Sequence, residues 1–474
     1  MNRQRVQDLV EKTWDESILP VLEDYIRIPC KSPDFDPDWA EHGHMQEAVQ
    51  LARSWCEAQN IDGLQIEVHE VPGRTPLLLL ELPQRGDSAQ AEDCVLLYGH
   101  LDKQPEMEGW DEDLGPWKPV VKDDKLYGRG SADDGYALFS AVTALRALQH
   151  AGGEHARCVV LIECCEESGS YDLPFYLEQL ADRLGQPSLI VCLDSGAGNF
   201  EQLWCTTSLR GMCSGELRVE VLSEGVHSGD AGGVVPSSFR LARALLSRIE
   251  DPETGELLLR ELYCPIPEDR EEQAQSAGEV LGDSAWARFP TSAGLEPGDP
   301  DPAELVLART WLPSLEVIGQ DGIPSLGEGG NVLRPQTTLK LSLRLPPNCD
   351  PEAALAALQE KLTEDAPQGA SVSFTAGASC QGWNAPPLAE WMEAAAEQAS
   401  RDWFDRPCLY MGEGGSIPFM AILGERYPQA QFLITGILGP GSNAHGPNEF
   451  LHLGMVKKVT GAVATLLDLH AKRQ

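Results

Sequence analysis

The stretch Gly128-Arg129-Gly130-Ser131-Ala132-Asp133-Asp134-Gly135 decides the fold, because a glycine-rich loop there delivers two adjacent carboxylates to the start of a helix. Residues 136–148, which follow, carry apolar side chains at helical spacing. Adjacent carboxylates at such a junction are costly unless positive charge holds them, and a metal ion is the simplest candidate. The alternative is a helix N-cap, in which Asp133 or Asp134 accepts free backbone N–H groups.

Three apolar runs around this stretch are typical of strands buried on both faces: residues 93–99, 157–165 and 188–193. Helical patterns separate them, and this βαβα alternation predicts an α/β fold with a mostly parallel sheet. Each run ends in polar side chains, namely His100 and Asp102, Glu166 and Glu167, and Asp194. Because the carboxyl ends of parallel strands lie along one edge of a sheet, we expect these side chains to meet there.

The composition of the chain excludes some classes of function. The 474 residues predict two or three domains, and 36 basic against 74 acidic residues give a formal charge of −38. That charge argues against nucleic acid or a membrane as a partner. No signal peptide is recognised, and no apolar run is long enough to span a membrane. The 13 cysteines are odd in number and lack framework spacing, which predicts reduced thiols in a cytoplasmic protein.

The polar strand ends carry a candidate metal site. A set of nitrogen and carboxylate ligands suits zinc, manganese or cobalt better than calcium or magnesium: His100, Asp133, Glu167, Asp194 and His445. Two metals close together need a bridging carboxylate, for which Asp133 is best placed. Asp102 would accept the other imidazole N–H of His100, and Glu166 would move a proton.

Each of these features alone has a plainer explanation. His100 would be a core histidine, the Glu166-Glu167 pair a solvated strand end, and His445 a loop histidine. Those explanations do not account for ligand-type residues at consecutive strand ends, since histidine is scarce in this chain, with 10 among 474 residues.

A series of motifs runs from residue 99 to residue 449: Gly99-His100-Leu101-Asp102, residues 127–134, Glu166 to Ser170, Leu193-Asp194, His227-Ser228-Gly229, Asn331, Arg344, Glu413 to Pro418, Ala444-His445 and Asn448-Glu449. With these motifs in this order, the chain resembles the M20 family of metallopeptidases, most closely its cytosolic, carnosinase-like dipeptidase branch. One departure is Gly135-Tyr136 after the two aspartates, where the family often has Lys-Gly. No metal ligand is lost by it.

The resemblance implies two divalent metal ions, zinc with manganese or cobalt as alternatives. Asp133 would bridge them, and the other ligands would divide into two pairs: His100 with Asp194, and Glu167 with His445. Glu166 would be the general base.

The resemblance also implies an α/β catalytic domain of the zinc exopeptidase type, in two parts (residues 1–209 and 331–474). An inserted α+β lid domain (residues 210–330) would dimerise. His227 would stabilise the oxyanion in the partner subunit's site, assisted by Asn331. Arg344 would bind the substrate carboxylate, although a strand-edge salt bridge is its alternative role. Gly415 and Ser416 would line the pocket. The acidic segment 251–301 reads as a loop-bearing insertion of unassigned role.

The function implied is that of an exopeptidase hydrolysing dipeptides or short peptides through a hydroxide that bridges two metal ions. An N-acyl amino acid deacylase or desuccinylase with the same metal site is the nearest alternative, because fold and ligands do not separate them. A non-catalytic binding protein on this scaffold is the alternative from another class.

Overall fold

A computed structural model describes residues 1–90 and 92–473 of the chain. Within this part the strands are β1 (Gln65–His69), β2 (Leu77–Leu82), β3 (Cys94–His100), β4 (Val120–Lys122), β5 (Lys125–Tyr127), β6 (Arg157–Glu163), β7 (Leu189–Cys192), β8 (Trp204–Leu209), β9 (Gly211–Glu220), β10 (Val226–His227), β11 (Ser314–Asp321), β12 (Val332–Leu333), β13 (Gln336–Leu345), β14 (Ser371–Cys380), β15 (Trp383–Asn384), β16 (Leu409–Glu413), β17 (Gln431–Ile434) and β18 (Phe450–His452).

The α-helices over the same residues are α1 (Arg3–Thr13), α2 (Leu19–Arg27), α3 (Trp39–His42), α4 (His44–Ala58), α5 (Ala137–His150), α6 (Leu173–Gln179), α7 (Ala181–Leu184), α8 (Ser228–Ala231), α9 (Ser238–Leu246), α10 (Glu268–Leu281), α11 (Ser284–Ala287), α12 (Pro302–Thr310), α13 (Pro351–Thr363), α14 (Glu390–Phe404), α15 (Pro418–Arg426) and α16 (Leu453–Ala471). A π-helical turn (Trp14–Ile18) joins α1 to α2.

The central sheet has the strand order β1-β2-β6-β3-β7-β17, with β6, β3, β7 and β17 mutually parallel and β2 antiparallel to β6. The predicted mostly parallel sheet is therefore confirmed. Strand β3 is buried along its whole length, which explains its unbroken apolar sequence. The three strands whose ends carry the predicted ligands, β6, β3 and β7, are direct neighbours.

Alternate residues of the central strands supply two separate cores. Val95 and Leu97 pack with α5 and α16 on one face, whereas Leu96 and Tyr98 pack with α6 and α15 on the other. This is the two-residue period of a strand, and it produces a helix–sheet–helix sandwich. Both faces of the sheet are thus covered, and the polar strand ends lie at its carboxyl edge.

A second sheet, antiparallel, has the order β11-β13-β9-β14. Its inner face packs on α9 and α13 through residues such as Leu217 and Leu341. The division into residues 1–209, 210–330 and 331–474 stays a prediction. The strand pairing indicates that the second domain ends later in the chain than residue 330, because β13 and β14 both pair with β9 along its length.

The acidic segment predicted to be a loop-bearing insertion, residues 251–301, contains α10, which packs against α12 just after the segment ends. Their apolar residues, including Ala277 and Val306, belong to the same hydrophobic core as the central sheet. The helical part of the segment is therefore attached to the first domain, whereas Leu257 and Leu262 near its start belong to the core of the antiparallel sheet.

All thirteen cysteines lie within the described residues and are free thiols, and eleven of them are buried. Their expected role as reduced core residues agrees with this burial. Among the helices of residues 1–90 and 92–473, none combines the length and apolar character needed to cross a membrane.

Candidate active site

The predicted ligands meet at the carboxyl edge of the central sheet. His100 is the last residue of β3, Asp194 follows β7, and Glu166 and Glu167 form a single 3-10 turn after β6. Asp133 lies in the turn that leads into α5, and its peptide bond to Asp134 is cis. The topology thus brings together residues that are far apart in the chain.

Two groups of possible metal ligands share Asp133 within the described part of the chain. One contains His100, Asp133 and Asp194, and the other contains Asp133, Glu167 and His445. His100 Nε2 lies 3.4 Å from Asp133 Oδ1 and 3.6 Å from Asp194 Oδ2. His445 Nε2 lies 3.1 Å from Asp133 Oδ2 and 3.3 Å from Glu167 Oε2. Each oxygen of Asp133 therefore faces a different group.

These residues fit divalent metal ions. Ligand atoms about 2.1 Å from a tetrahedral zinc ion lie roughly 3.4 Å from one another, which matches the separations in both groups. Two buried ligand atoms, His100 Nε2 and Glu167 Oε1, have no hydrogen-bond partner among the described residues. Buried polar atoms are rarely left unpaired, so these two are suited to bind an ion.

The charges at the site also indicate that it binds cations. Burial, together with repulsion from neighbouring carboxylates, raises the pKa of Asp194 to about 6 and that of Glu167 to about 8. Burial also opposes ionisation of Asp133, yet the neighbouring imidazoles of His100 and His445 outweigh it and hold its pKa well below the usual range. Several carboxylates in one cleft need positive charge, which divalent cations supply.

Asp102 supports the site in two ways. Its backbone carbonyl lies 3.1 Å from His100 Nδ1, and its carboxylate Oδ1 lies 3.5 Å from the same atom. Sequence reasoning expected the carboxylate to accept that imidazole N–H, but the carbonyl lies closer. The carboxylate instead accepts the backbone N–H groups of Glu166 and Glu167 at 3.1 and 3.0 Å. It therefore fixes the turn that carries both glutamates.

A cavity of about 730 Å³ opens over the ligands and is lined by Asp133, Glu166 and Asp194. Glu166 belongs to neither ligand group but faces the same cavity. Burial raises its pKa well above the usual range for a glutamate. The arrangement thus leaves one carboxylate beside the metal ligands and free to exchange a proton.

The predicted substrate-binding residues are only partly brought together. Gly415 and Ser416 line the cavity, and Arg344 Nη1 donates to Ser416 Oγ at 3.3 Å across the junction of the two domains. His227 and Asn331 are exposed neighbours on β10 and beside β12, and neither contributes to the cavity lining in the described part of the chain.

Sequence reasoning gave no role to several residues at the site. Glu413 and Arg288 both line the cavity, and Gln104 Nε2 donates to Glu167 Oε2 at 2.6 Å. Arg129 and Glu449 form a buried ion pair behind Asp133 and His445. Glu413, Arg129 and Glu449 lie inside the motifs that carry the family resemblance, so the sequence does contain a signal for them. Arg288 lies in the acidic segment, where the sequence offers no such signal.

Residues 96–469 match the model of peptidase family M20/M25/M40, and the chain belongs to this family. The resemblance identified from the motifs is therefore confirmed.

Among curated relatives, a cysteinylglycine-S-conjugate dipeptidase of Corynebacterium striatum is 27% identical over 387 residues, which are 80% of this chain and 81% of that protein. A Cys-Gly metallodipeptidase of Schizosaccharomyces pombe is 26% identical over 467 residues, 96% of this chain and 95% of its own. The solved structure of the di-peptidase Dug1p of Saccharomyces cerevisiae has the same fold, with a TM-score of 0.78 at 22% identity over 100% of this chain and 99% of its own.

Proposed function

We propose that this chain is a metal-dependent dipeptidase with two divalent metal ions. The observation that carries the proposal is the pair of ligand groups that share Asp133, with Glu166 beside them in one cavity. Its family and its dipeptidase relatives support the same activity.

Five residues would hold the two ions: His100 and Asp194 on one, Glu167 and His445 on the other, with Asp133 between them. Histidine nitrogen together with carboxylate oxygen favours zinc, and manganese or cobalt would also suit these ligands. When bound, such ions act as Lewis acids that lower the pKa of water and polarise a carbonyl group.

Glu166 would accept a proton from the attacking water and pass it to the amine that leaves. Burial raises the pKa of Glu166, which favours the protonated form that donates to the leaving amine. Asp102 would keep Glu166 in place through the backbone N–H groups of the turn.

The two ends of a dipeptide would be bound by opposite charges. Arg344, beside Ser416, would bind the free carboxylate through its planar guanidinium. Glu413, which lines the cavity, would bind the free α-ammonium group. Arg309 is its ion-pair partner at 3.5 Å, a long contact that leaves room for a second cation at the carboxylate.

A second copy of the chain would complete each site. His227 and Asn331 lie together on the second domain, away from the cavity of their own chain. Exposed apolar side chains occur on the same domain: Val234, Phe239, Val317, Ile318, Leu326 and Val332. An exposed apolar surface of this kind is typical of an interface, and here it would place His227 against the partner's substrate.

We also propose a cytoplasmic location, supported by the thirteen free cysteines. Buried thiols without disulfide partners suit a reducing compartment.

The first test is hydrolysis, by metal-reconstituted protein, of alanyl-leucine, its N-acetyl derivative and its C-terminal amide. The proposal expects cleavage of the free dipeptide alone. Preference for the N-acetyl compound would instead indicate a deacylase, and no cleavage of any compound with metal bound would contradict a dipeptidase.

A second test uses Glu413→Gln, with Glu425→Gln on the exposed surface of α15 as the matched control. The Glu413 variant should raise KM for the free dipeptide by about 10-fold or more, as expected for loss of a charged hydrogen bond. An unchanged KM would show that Glu413 does not bind the α-ammonium group.

A further inference from the structure

The wall segment (residues 267–311) forms one side of the cavity and is anchored to the first domain. Helices α10 and α12 approach closely, since a side chain at Gly278 would meet the backbone of Ala303 at 2.6 Å. Arg270 is buried and donates to Asn384 Oδ1 at 3.0 Å and to the carbonyl of Ala385 at 2.9 Å. Thr207 Oγ1 donates to Gln273 Oε1 at 2.7 Å. These contacts hold the wall segment in a defined place.

The part of the wall segment that faces the metal ligands is Arg288-Phe289-Pro290, just after α11. Arg288 is the only arginine or lysine among the residues that line this cavity in the described structure. Its guanidinium is half-buried, and residues 1–90 and 92–473 provide it with no hydrogen bond or ion pair within ordinary range. A guanidinium placed in this way has five N–H donors available to a ligand.

Arg288 shares the cavity with four carboxylates, of which Asp133, Glu166 and Asp194 lie at the candidate metal site. The fourth, Glu413, has Arg309 as its ion-pair partner at 3.5 Å. Burial lowers the pKa of Arg288, and repulsion from Arg309 lowers it further against the attraction of Glu413. Because Glu413 is already paired with Arg309, the guanidinium of Arg288 is available to bind an anionic group of a ligand.

We propose that Arg288 binds a carboxylate on a substrate side chain, so that the enzyme prefers dipeptides that contain an aspartate or glutamate. The inference rests on the proposed dipeptidase function and adds the substrate class. The backbone carboxylate of the substrate is assigned to Arg344 and Ser416. Arg288 is therefore available for a second negative charge, and Phe289 provides an apolar surface for the methylene groups of the same side chain.

The test compares two pairs of substrates that differ only in charge: glutamyl-alanine with glutaminyl-alanine, and alanyl-glutamate with alanyl-glutamine. The wild-type enzyme should favour the acidic member of at least one pair by about 10- to 100-fold in kcat/KM. Arg288→Gln should lower kcat/KM for the acidic member by about 10- to 100-fold more than for the neutral member, so that the preference is lost. Arg260→Gln, an exposed arginine outside the cavity, is the matched control and should retain the preference.

Two further variants separate binding from folding. Arg288→Lys keeps the charge without the planar fork and should keep part of the preference. Arg288→Glu should reverse it, favouring lysyl-alanine over glutamyl-alanine, a gain that damage to the fold does not produce.

Three results would overturn the proposal. Equal rates on both members of each pair in the wild type would show that no side-chain charge is recognised. Equal losses on acidic and neutral members in Arg288→Gln would place Arg288 at the backbone carboxylate or in the fold. Hydrolysis of no dipeptide at all would overturn the proposed function and this inference together, whereas hydrolysis without charge preference overturns only the inference.

Discussion

Arg129 and Glu449, 320 residues apart in the chain, form an ion pair of 2.7 Å, with 1% and 0% of their side chains exposed. Arg129 also donates to the backbone carbonyls of His445 and Gly446 at 3.1 and 2.8 Å. Glu449 accepts the backbone N–H groups of Ala132 and Asp133 at 3.1 and 3.3 Å. One buried pair therefore holds the loop of His445 against the turn of Asp133.

Replacing Glu449 with Gln should destabilise the protein and weaken metal binding together. The change leaves the Arg129 charge buried without its partner, which costs about 3–5 kcal/mol in such pairs. It also loosens Asp133 relative to His445, so the ligand group containing Glu167 should lose more metal affinity than the other. Urea unfolding and calorimetric titration with zinc or manganese measure the two effects. Wild-type stability in the variant would show that the pair has no structural role.

Replacing Glu166 with Gln should reduce kcat by at least about 10²-fold, because the residue that moves the proton is lost. Both metal equivalents should remain bound, since Glu166 belongs to neither ligand group. The measurements are steady-state kinetics and metal content after dialysis. Unchanged turnover would refute the role of Glu166, and loss of metal would instead make it a ligand.

Mixed dimers test whether His227 acts across the interface. His227→Ala and Glu166→Gln should each be inactive alone. Co-expression of the two should restore about a quarter of wild-type activity, because half of the dimers are mixed and each has one complete site. The readout is activity of the co-expressed protein against each variant purified alone. No recovery in dimers proven to be mixed would confine His227 to its own chain or exclude it from catalysis.

The acid stability of the fold should depend on His470 of α16. Burial lowers the pKa of His470 to about 3, whereas in the unfolded chain it titrates near 6.5. Between these values only the unfolded chain binds the proton, so the free energy of unfolding falls as the pH is lowered, by at most about 1.4 kcal/mol per pH unit. His470→Gln should remove this contribution. Urea unfolding at pH 6.5 and pH 5.5 should therefore show a smaller loss in the variant, and an equal loss in both proteins would contradict the burial of a neutral His470.

Much of the site followed from sequence because of the way parallel sheets are built. The apolar runs that became β3, β6 and β7 each ended in ligand-type residues, and parallel strands necessarily bring such ends to one edge. His445 lies in a loop after β17 and not at the end of one of these strands, so strand order alone does not predict that it joins them. The loop conformation, held by Arg129, is a long-range contact that no local pattern predicts.

Other features depended on contacts that local patterns do not encode. The carboxylate of Asp102 was expected at the imidazole of His100, but the turn of Glu166 and Glu167 presents two N–H groups to it. The composition of the acidic segment predicts a loop-bearing insertion with helical pieces, and α10 in it buries Ala274 and Ala277 against the first domain. Small residues in a polar helix give a weak periodic signal, so its packing was not predicted.

The sequence alone determined the α/β class, the central strands and the residue types of the candidate metal site, because apolar period and residue type are local properties. Tertiary structure alone decided that Asp133 faces both candidate ligand groups, that β13 and β14 join β9, and that Arg288 lines the same cavity. These depend on contacts between segments that are distant in the chain. The free energy of such contacts comes from surfaces that exist only once the chain has folded.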